Sequence, residues 1–323
     1  MSTVSHVVNR TRHVNADTAA AVREAISALG FMPNAVARSL KRSATNSVGI
    51  AVSISTNSYF MDIVRAVETA CSELGQMVFL ADTRDDPEIE LEVVRELHQR
   101  RVDGIILAPS ADPERLAVRY LAEHRVPCVL VDRLLDEDFD QVGITNAQSM
   151  GQLVEHLVNC GHRRIALVAG QPDFATTQER VMGFRAALAQ FHLVQDDHLI
   201  FPGNATVEAA REAALKLFAL KDRPTAIATG NNLATIGVMQ AIRAAGLRVP
   251  RDVAIAGFDD FEWADCFEPR LTVLAQPCAE IGRNAAMLLS NRIKNIDSER
   301  RTVRLEPKLI VRDSCGVKPV KEG

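Results

Sequence analysis

The sequence predicts an α/β protein: a small all-α segment followed by a body of two parallel-sheet α/β subdomains. Three observations lead there. After residue 46, short β-branched apolar runs alternate with amphipathic stretches at helical spacing. Strands apolar on both faces, separated by helices, mean a parallel sheet covered on both sides. That rhythm runs twice, over two halves of similar size, and the first 45 residues instead carry helical periodicity and helix caps. At 323 residues the chain exceeds one ordinary core, so two or three domains are expected.

Taken in order, the first predicted helix is Thr3–Asn9, with Val4, Val7 and Val8 on one face and Ser2, Ser5, His6 and Asn9 left to the other. Asn15 is suited to cap the next helix, and Asp17 falls in its first turn, where the macrodipole favours an anion. Ala19, Val22, Ile26 and Leu29 recur there at helical spacing, and Gly30 ends the run. Pro33 opens a third short helix over 34–40, because proline is tolerated in a first turn. "KRSATNS" then reads as a linker. In the body, "SVGIAVSI", "MVFLAD", "VDGIILAP" and "VPCVLVD" are strands, with helices over 61–74, 88–100 and 114–124 between them. The second half repeats this with "RRIALVAG", "TAIATG" and "DVAIAGFDD" and helices over 178–190, 207–217 and 233–244. "LTVLAQP" leads into a helix over 278–293, and "VRLEPKLIVRDS" supplies the last strands.

Charge is distributed unevenly. Residues 1–43 carry Arg10, Arg12, Arg23, Arg38, Lys41 and Arg42 against Asp17 and Glu24, a net of +4. The chain as a whole is −4, so the remainder is −8. A basic head on an acidic body is what a protein shows when only the head meets a polyanion; a solvated basic terminus is the plainer reading. No run of 18 apolar residues and no secretory leader pattern is present, so a cytoplasmic protein without a membrane partner is expected. The six cysteines stand singly, without a CxxC pair, and read as reduced thiols. There is no GxGxxG after a strand, no GxxxxGK[ST], no GxSxG and no HExxH, and the eight histidines do not cluster at metal spacing. No catalytic residue, metal ligand or cofactor is expected, and an enzyme reading lacks a motif.

Several stretches together carry a family resemblance. They are "STVSHVVNRTRHVNADTAAAVREAISALGFMPNAVARSL", "NCGHRRIALVAG", "RPTAIATGNNLATIGVMQAIRAAGLRVPRDVAIAGFDD" and "PRLTVLAQPCAEIGRNAAMLL". In order, over essentially the whole chain, they resemble the LacI/GalR family of bacterial transcription regulators. The resemblance implies a helix-turn-helix headpiece and hinge in residues 1–45, the hinge at 33–42. It implies a periplasmic-binding-protein-like body, with one effector-binding subdomain from 46–146 and 278–307, the other from 147–277 and 308–316, and a tail at 317–323. The second helix of such a headpiece lies in the major groove, and its first residues reach base edges. Here that is Ser2–Asn9, so Ser2, Thr3, Ser5 and His6 would read bases, and Asn9, Arg10 and Arg12 would meet phosphates. In the hinge, Leu40 would wedge into the central minor-groove step, Ala37 would pack close to the groove, and Asn34 and Arg38 would contact the backbone. Family members carry about one more helix and a turn ahead of Met1. The expectation is a start codon placed upstream, or else a form that binds operators poorly.

In the body the resemblance places a small molecule between the subdomains, at the carboxyl ends of strands. Matched motif by motif, the implied contacts are Tyr59 and Phe60 in "STNSYF", Asp132 and Arg133 in "VDR", and Phe174, Thr176 and Arg180 in "FATTQER". Asn231 in "GNN" and Asp259 and Trp263 in "GFDDFEW" complete the set. Aromatics suit the apolar face of a sugar ring, Arg180 and Asp259 would bracket its hydroxyls, and Arg133 would suit a carboxylate. The expected effector is a sugar or a sugar acid. Phe174 stands where purine-binding members carry a cation, which argues against a purine. The expected function is a repressor with two reading helices on a palindromic double-stranded DNA operator, working as a homodimer or a tetramer, its affinity set by the effector. Two rivals share the body: a sugar-binding protein that does not bind DNA in this form, and an α/β enzyme acting on a sugar.

Overall fold

The structure, a computed structural model, describes residues 3–9, 12–29, 44–54, 57, 59–204 and 206–316. The helix expected over 34–40 and the first three residues of the linker after it lie outside these residues. The chain divides into two compact units, Met1–Asn46 and Ser47–Gly323.

In the first unit, α1 (Thr3–Asn9) lies against α2 (Ala16–Ala28). The Asn15 side chain accepts from the Asp17 amide at 3.1 Å, satisfying one of the orphan donors of the helix start. Only Ala19 is fully buried on α2; Val22 and Ile26 are half-buried and Leu29 is exposed. The expected apolar stripe is thus covered on one side only, because among the described residues a single short helix packs against it.

The second unit contains two six-stranded sheets. The first is built from β1 (Ser47–Val52), β2 (Met77–Asp82), β3 (Gly104–Leu107), β4 (Cys128–Val131), β5 (Asp140–Ile144) and, from far along the chain, β11 (Thr302–Leu305). Its order is β11-β5-β4-β3-β1-β2, all parallel. The second sheet takes β6 (Ile165–Ala169), β7 (Ile200–Pro202), β8 (Ala226–Thr229), β9 (Ala254–Phe258), β10 (Thr272–Ala275) and β12 (Lys308–Ile310), in the order β12-β10-β9-β8-β6-β7. Only β12 runs antiparallel. Central strands such as β1 are buried at every position, as a sheet covered on both faces requires.

The covering helices follow from their sequences. On the first sheet they are α3 (Tyr59–Glu73), α4 (Pro87–Gln99), α5 (Leu116–Glu123) and, from the late part of the chain, α10 (Cys278–Lys294). Asp86 caps α4 through the amides of Glu88 and Ile89, with Pro87 in the first turn. The second sheet carries α6 (Asn146–Asn159), α7 (Ala175–Gln190), α8 (Val207–Phe218) and α9 (Asn232–Ala244). The polypeptide passes from one sheet to the other three times: between β5 and α6, between β10 and α10, and between β11 and β12. The sequence reading assigned no element to β5, α6 or β7. For α6 the signal was present: Met150, Leu153, Val154 and Leu157 recur at helical spacing and are all buried.

A buried ion pair ties the late chain into the first lobe. Arg292 donates from Nε to Asp140 at 2.7 Å and also to the carbonyls of Ile296 and Ser298. Close helix packing does the same in the second lobe. A Cβ on Gly183 of α7 would stand 2.1 Å from the Ala147 carbonyl oxygen of α6, so only glycine lets these helices approach. Gly183→Ala is therefore expected to destabilise the fold by about 1–3 kcal/mol by overpacking, despite the better helix propensity of alanine; urea unfolding of the two proteins measures it.

Candidate functional site

The carboxyl ends of the central strands of both sheets face one cleft. From the first lobe come Asn57, Tyr59 and Phe60 after β1, and Asp132 and Arg133 after β4. From the second come Phe174, Thr176 and Arg180 after β6, Asn231 after β8, Asp259 after β9 and Gln276 after β10. These residues enclose a pocket of about 50 Å³, closed down to roughly the room of one or two waters.

Two carboxylates in the pocket are held by the same device. Asp132 and Asp259 each follow the last residue of a strand and adopt a left-handed backbone, with φ of 65° and 72°. Each extends a ladder by its amide, Asp132 to the Val142 carbonyl at 2.9 Å and Asp259 to the Leu274 carbonyl at 3.0 Å. A non-glycine residue pays for such a φ only where its surroundings over-determine it, and such residues cluster at functional sites.

Between the carboxylates runs a short network. The Tyr59 hydroxyl lies 2.9 Å from Gln276 Oε1 and 3.2 Å from Asp132 Oδ1. Gln276 donates from Nε2 to Asp259 Oδ1 at 2.6 Å, and the Asn232 amide donates to Asp259 Oδ2 at 3.2 Å. The tyrosine hydroxyl has one proton and faces two acceptors, so one acceptor is left over. Burial raises the Asp259 carboxyl above the usual carboxylate range, with the Arg180 charge and the Gln276 and Asn232 bonds opposing. Burial, and then the Asp132 charge, push the Tyr59 hydroxyl well up, so it keeps its proton. A second bond crosses the cleft directly: Asn232 donates to Asn57 Oδ1 at 3.0 Å, and the same oxygen accepts from the Tyr59 amide that opens α3.

The two arginines are already engaged. Arg133 donates to Asp85 at 2.5 Å and to the Pro109 carbonyl at 2.9 Å, and its guanidinium sits 3.7 Å from the centre of the Phe174 ring. Arg180 donates to Asn146 Oδ1 at 2.8 Å and the Gly230 carbonyl at 2.6 Å, over the Phe258 ring at 3.8 Å. Arg133 was expected to suit a ligand carboxylate; its pairing with Asp85 neutralises it instead.

Beyond the Arg133–Phe174 stack the cleft widens into an outer chamber of about 380 Å³, with Glu90, Ser110 and Arg115 on one side and Asp173 and Gln178 on the other. Glu90 is almost wholly buried and accepts from the Ser110 amide at 2.5 Å. Burial pushes its carboxyl up to about 7, while Ser110 and Arg133 pull the other way.

Nine of the ten residues expected at the effector line the inner pocket: Tyr59, Phe60, Asp132, Arg133, Phe174, Thr176, Arg180, Asn231 and Asp259. Asn231 does so while capping α9 through the Ala234 amide at 2.8 Å. Trp263 does not. It is 57% exposed, packs edge-on to Phe261 at 5.9 Å, and lines an adjoining groove with Met61 and Arg65 that shares Tyr59, Asp259 and Gln276 with the inner pocket. Asn57, Asp85 and Gln276 line the pocket without having been singled out; Gln276 is invisible to a motif search because it sits in a crossover strand-end known only from topology. In the first unit, Thr3 and Arg12 are exposed and His6 is half-buried. Ser5 and Asn9 lie on α1. Ser2, Arg10, Asn34, Ala37, Arg38 and Leu40 lie outside the described residues.

The Glu90 environment sets a pH dependence. In the unfolded chain this carboxyl loses its proton at an ordinary value near 4.5, but in the fold only near 7. Between these values the unfolded chain holds fewer protons, so stability falls as pH rises through that window. Glu90→Gln keeps an acceptor for the Ser110 amide and does not titrate. Urea unfolding at about pH 5 and about pH 8 is expected to show a loss of about 3 kcal/mol in the parent that the variant lacks.

Comparison with known proteins places these features. A family model described as periplasmic binding proteins and sugar binding domain of LacI family matches residues 45–312. The HTH-type transcriptional repressor PurR of Aliivibrio salmonicida (strain LFI1238) is 35% identical over 314 residues, 97% of this chain and 94% of that one. Among solved structures, the lac repressor dimer bound to operator and the anti-inducer ONPF superposes with a TM-score of 0.87 at 26% identity, covering 97% of this chain and 94% of that one. The transcriptional regulator CelR–cellobiose complex superposes with a TM-score of 0.78 at 32% identity, covering 96% and 94%. With its two mostly parallel sheets and a cleft at their strand ends, the chain belongs to the LacI family.

Proposed function

We infer that this protein is a ligand-controlled DNA-binding repressor whose effector is a sugar held between the two lobes. The observation that carries the ligand class is the proton shortage of the cleft. Asp132 and the Gln276 carbonyl share a single tyrosine proton, and each Asp259 oxygen holds one donor, from Gln276 and from the Asn232 amide, with a lone pair to spare. A molecule rich in hydroxyls supplies the missing donors, and Phe60 and Phe174 offer apolar faces to its ring. A sugar acid is the weaker candidate, because Arg133 is paired with Asp85 within the protein. The cellobiose complex of CelR, a protein of the same fold, supports the carbohydrate reading.

The relatives named as transcriptional repressors support the repressor role, and the lac repressor neighbour is a dimer on its operator. In this reading α1 is the recognition helix, with Thr3, Ser5 and His6 toward bases and Asn9 and Arg12 toward phosphates. The protein catalyses no reaction and works in the cytoplasm. Among the described residues no helix is long and apolar enough to cross a membrane. A homodimer fits the exposed edge of the first sheet: β2 leaves Met77, Phe79 and Leu80 at 65%, 42% and 43% exposure, a row that a monomer in water would leave open to association. Sugar binding changes the angle between the lobes and thereby shifts DNA affinity, by a coupling energy of about 1–3 kcal/mol.

Gel-shift titration against DNA upstream of the protein's own gene, with and without a sugar panel, tests this reading. At least one sugar should move the midpoint about 5–150-fold, and no sugar should be turned over. Asp259→Asn should still bind DNA yet lose that response. Phe79→Glu should run as a monomer in light scattering and bind a palindromic operator at least about tenfold more weakly, because one headpiece then acts alone. A protein that ignores every DNA fragment would overturn the repressor role.

A further inference from the structure

Beyond the Arg133–Phe174 stack, the outer chamber of about 380 Å³ lies within the size range of small-molecule sites. Both lobes line it, Glu90, Ser110 and Asp112 from the first and Asp173 and Phe174 from the second. It has only Arg133 and Phe174 in common with the inner pocket. An occupant of the chamber is therefore a second ligand, apart from whatever the inner pocket takes.

The lining carries a negative balance. Its two cations are committed, Arg133 to Asp85 and Arg115 to Glu137. Glu90, Asp112 and Asp173 stand in the same lining and make no ion pair with any described residue. Asp112 already accepts from the amides of Glu114 and Leu116 at the start of α5. Such a field repels carboxylates and phosphates and attracts a cation. Ser110 adds a directional group. The residue is 7% exposed, and its hydroxyl lies beside the Glu90 carboxyl with no hydrogen bond of good geometry to any described residue. A buried hydroxyl of this kind costs free energy until a partner reaches it. Glu90 accepts from the Ser110 amide at 2.5 Å and keeps lone pairs to spare. Two buried acceptors side by side suit an ammonium group, which has three donors and no acceptor. A bare metal ion suits them less, because among the described residues no group of three or more His, Cys, Asp or Glu side chains is arranged to hold one. Phe174, Leu135 and Val118 offer apolar surface for a methylene chain in the same chamber.

We propose that the outer chamber is a site for a small aliphatic amine, whose ammonium group is held by the Glu90 carboxylate and Ser110 Oγ and whose methylenes lie over Phe174. This does not rest on the sugar reading given above. A bound amine touches both lobes and so stabilises the arrangement in which they meet. Its binding is also linked to protons. Burial, with help from the Asp112 charge, holds the free Glu90 carboxyl up at about 7, against Ser110 and Arg133. Among the other groups around it, Arg115 and Asp85 are paired, Asp173 lines the far lobe, and the Cys128 thiol of β4 is itself pushed up by burial and by Glu90. The ammonium favours the ionised carboxyl, so binding sends the Glu90 proton to solvent, about half a proton per site near neutrality.

The test is calorimetric titration of the full chain with the diamine putrescine, neutral butanediol and the dianion succinate, in about 0.15 M salt to screen diffuse attraction. Putrescine should bind at least about tenfold more tightly than butanediol, and succinate should not bind. Putrescine keeps its own charge between about pH 6 and about pH 8, yet its affinity should rise about tenfold across that range, and near neutrality the heat should vary with the buffer's ionisation enthalpy as release of about half a proton requires. Glu90→Gln should lose both the proton release and the pH dependence and bind about tenfold more weakly or worse; its thermal midpoint checks its fold. Ser110→Ala should weaken binding about threefold and keep the proton release. Glu208→Gln, which removes the same charge from an exposed position on α8, should change nothing. Equal binding of putrescine and butanediol, binding without proton release, or a loss in Glu208→Gln as large as in Glu90→Gln would overturn the amine site, and so would putrescine failing to bind at all.

Discussion

Asp132 and Asp259 face one another across the cleft with too few protons between them, and the rest of the site is arranged around that shortage. Each carboxylate stands at the end of a strand in a different lobe, fixed by a left-handed backbone and a ladder bond from its own amide. Tyr59 and Gln276 relay one to the other, but a single hydroxyl proton cannot satisfy both Asp132 and the Gln276 carbonyl. The same groups that line the pocket also hold the lobes together, so anything bound there would compete for the bonds that close the lobes.

This explains why the crossovers matter. Gln276 lies at the point where the chain leaves β10 of the second sheet to begin α10 on the first. Its amide bonds to Asp259 and its carbonyl faces Tyr59, so one residue in the connection senses both lobes. The Arg292–Asp140 pair anchors the far end of α10 to the first lobe, where both side chains are fully desolvated and further satisfied by backbone groups. Removing a partner from such a pair strands a buried charge, so α10 is held firmly where it arrives. A ligand that alters the Tyr59–Gln276–Asp259 bonds would therefore act on a connection with one fixed end.

Electrostatics restrict what the cleft accepts. The arginines, which in isolation suggest an anion site, are each bonded to protein acceptors and stacked on a phenylalanine. They serve as flat, partly apolar walls; Asp85 balances the Arg133 charge, while Arg180 keeps its charge and acts on Asp259 through its field. Glu90, buried on α4 among few compensating donors, adds a carboxyl that titrates near neutrality on the chamber side of Arg133.

By itself the sequence determined the class of fold and most of its elements, because alternating apolar runs and helical spacings are local signals that survive without knowledge of neighbours. Family motifs also pointed to Tyr59, Phe60, Asp132, Arg133, Phe174, Thr176, Arg180, Asn231 and Asp259, since each follows a strand end whose pattern is legible. What only the tertiary structure decided were the relations between distant segments. It set Trp263 on an adjoining groove, brought Gln276, Asn57 and Asp85 into the inner pocket, and paired Arg133 with Asp85 so that an apparent anion contact became a neutral wall. It also opened a second chamber bounded by Glu90 and Gln178, which lie in different lobes. Hydrogen-bond partners and cavities depend on where separate strands end in space, and a pattern along the chain carries no information about which ends meet.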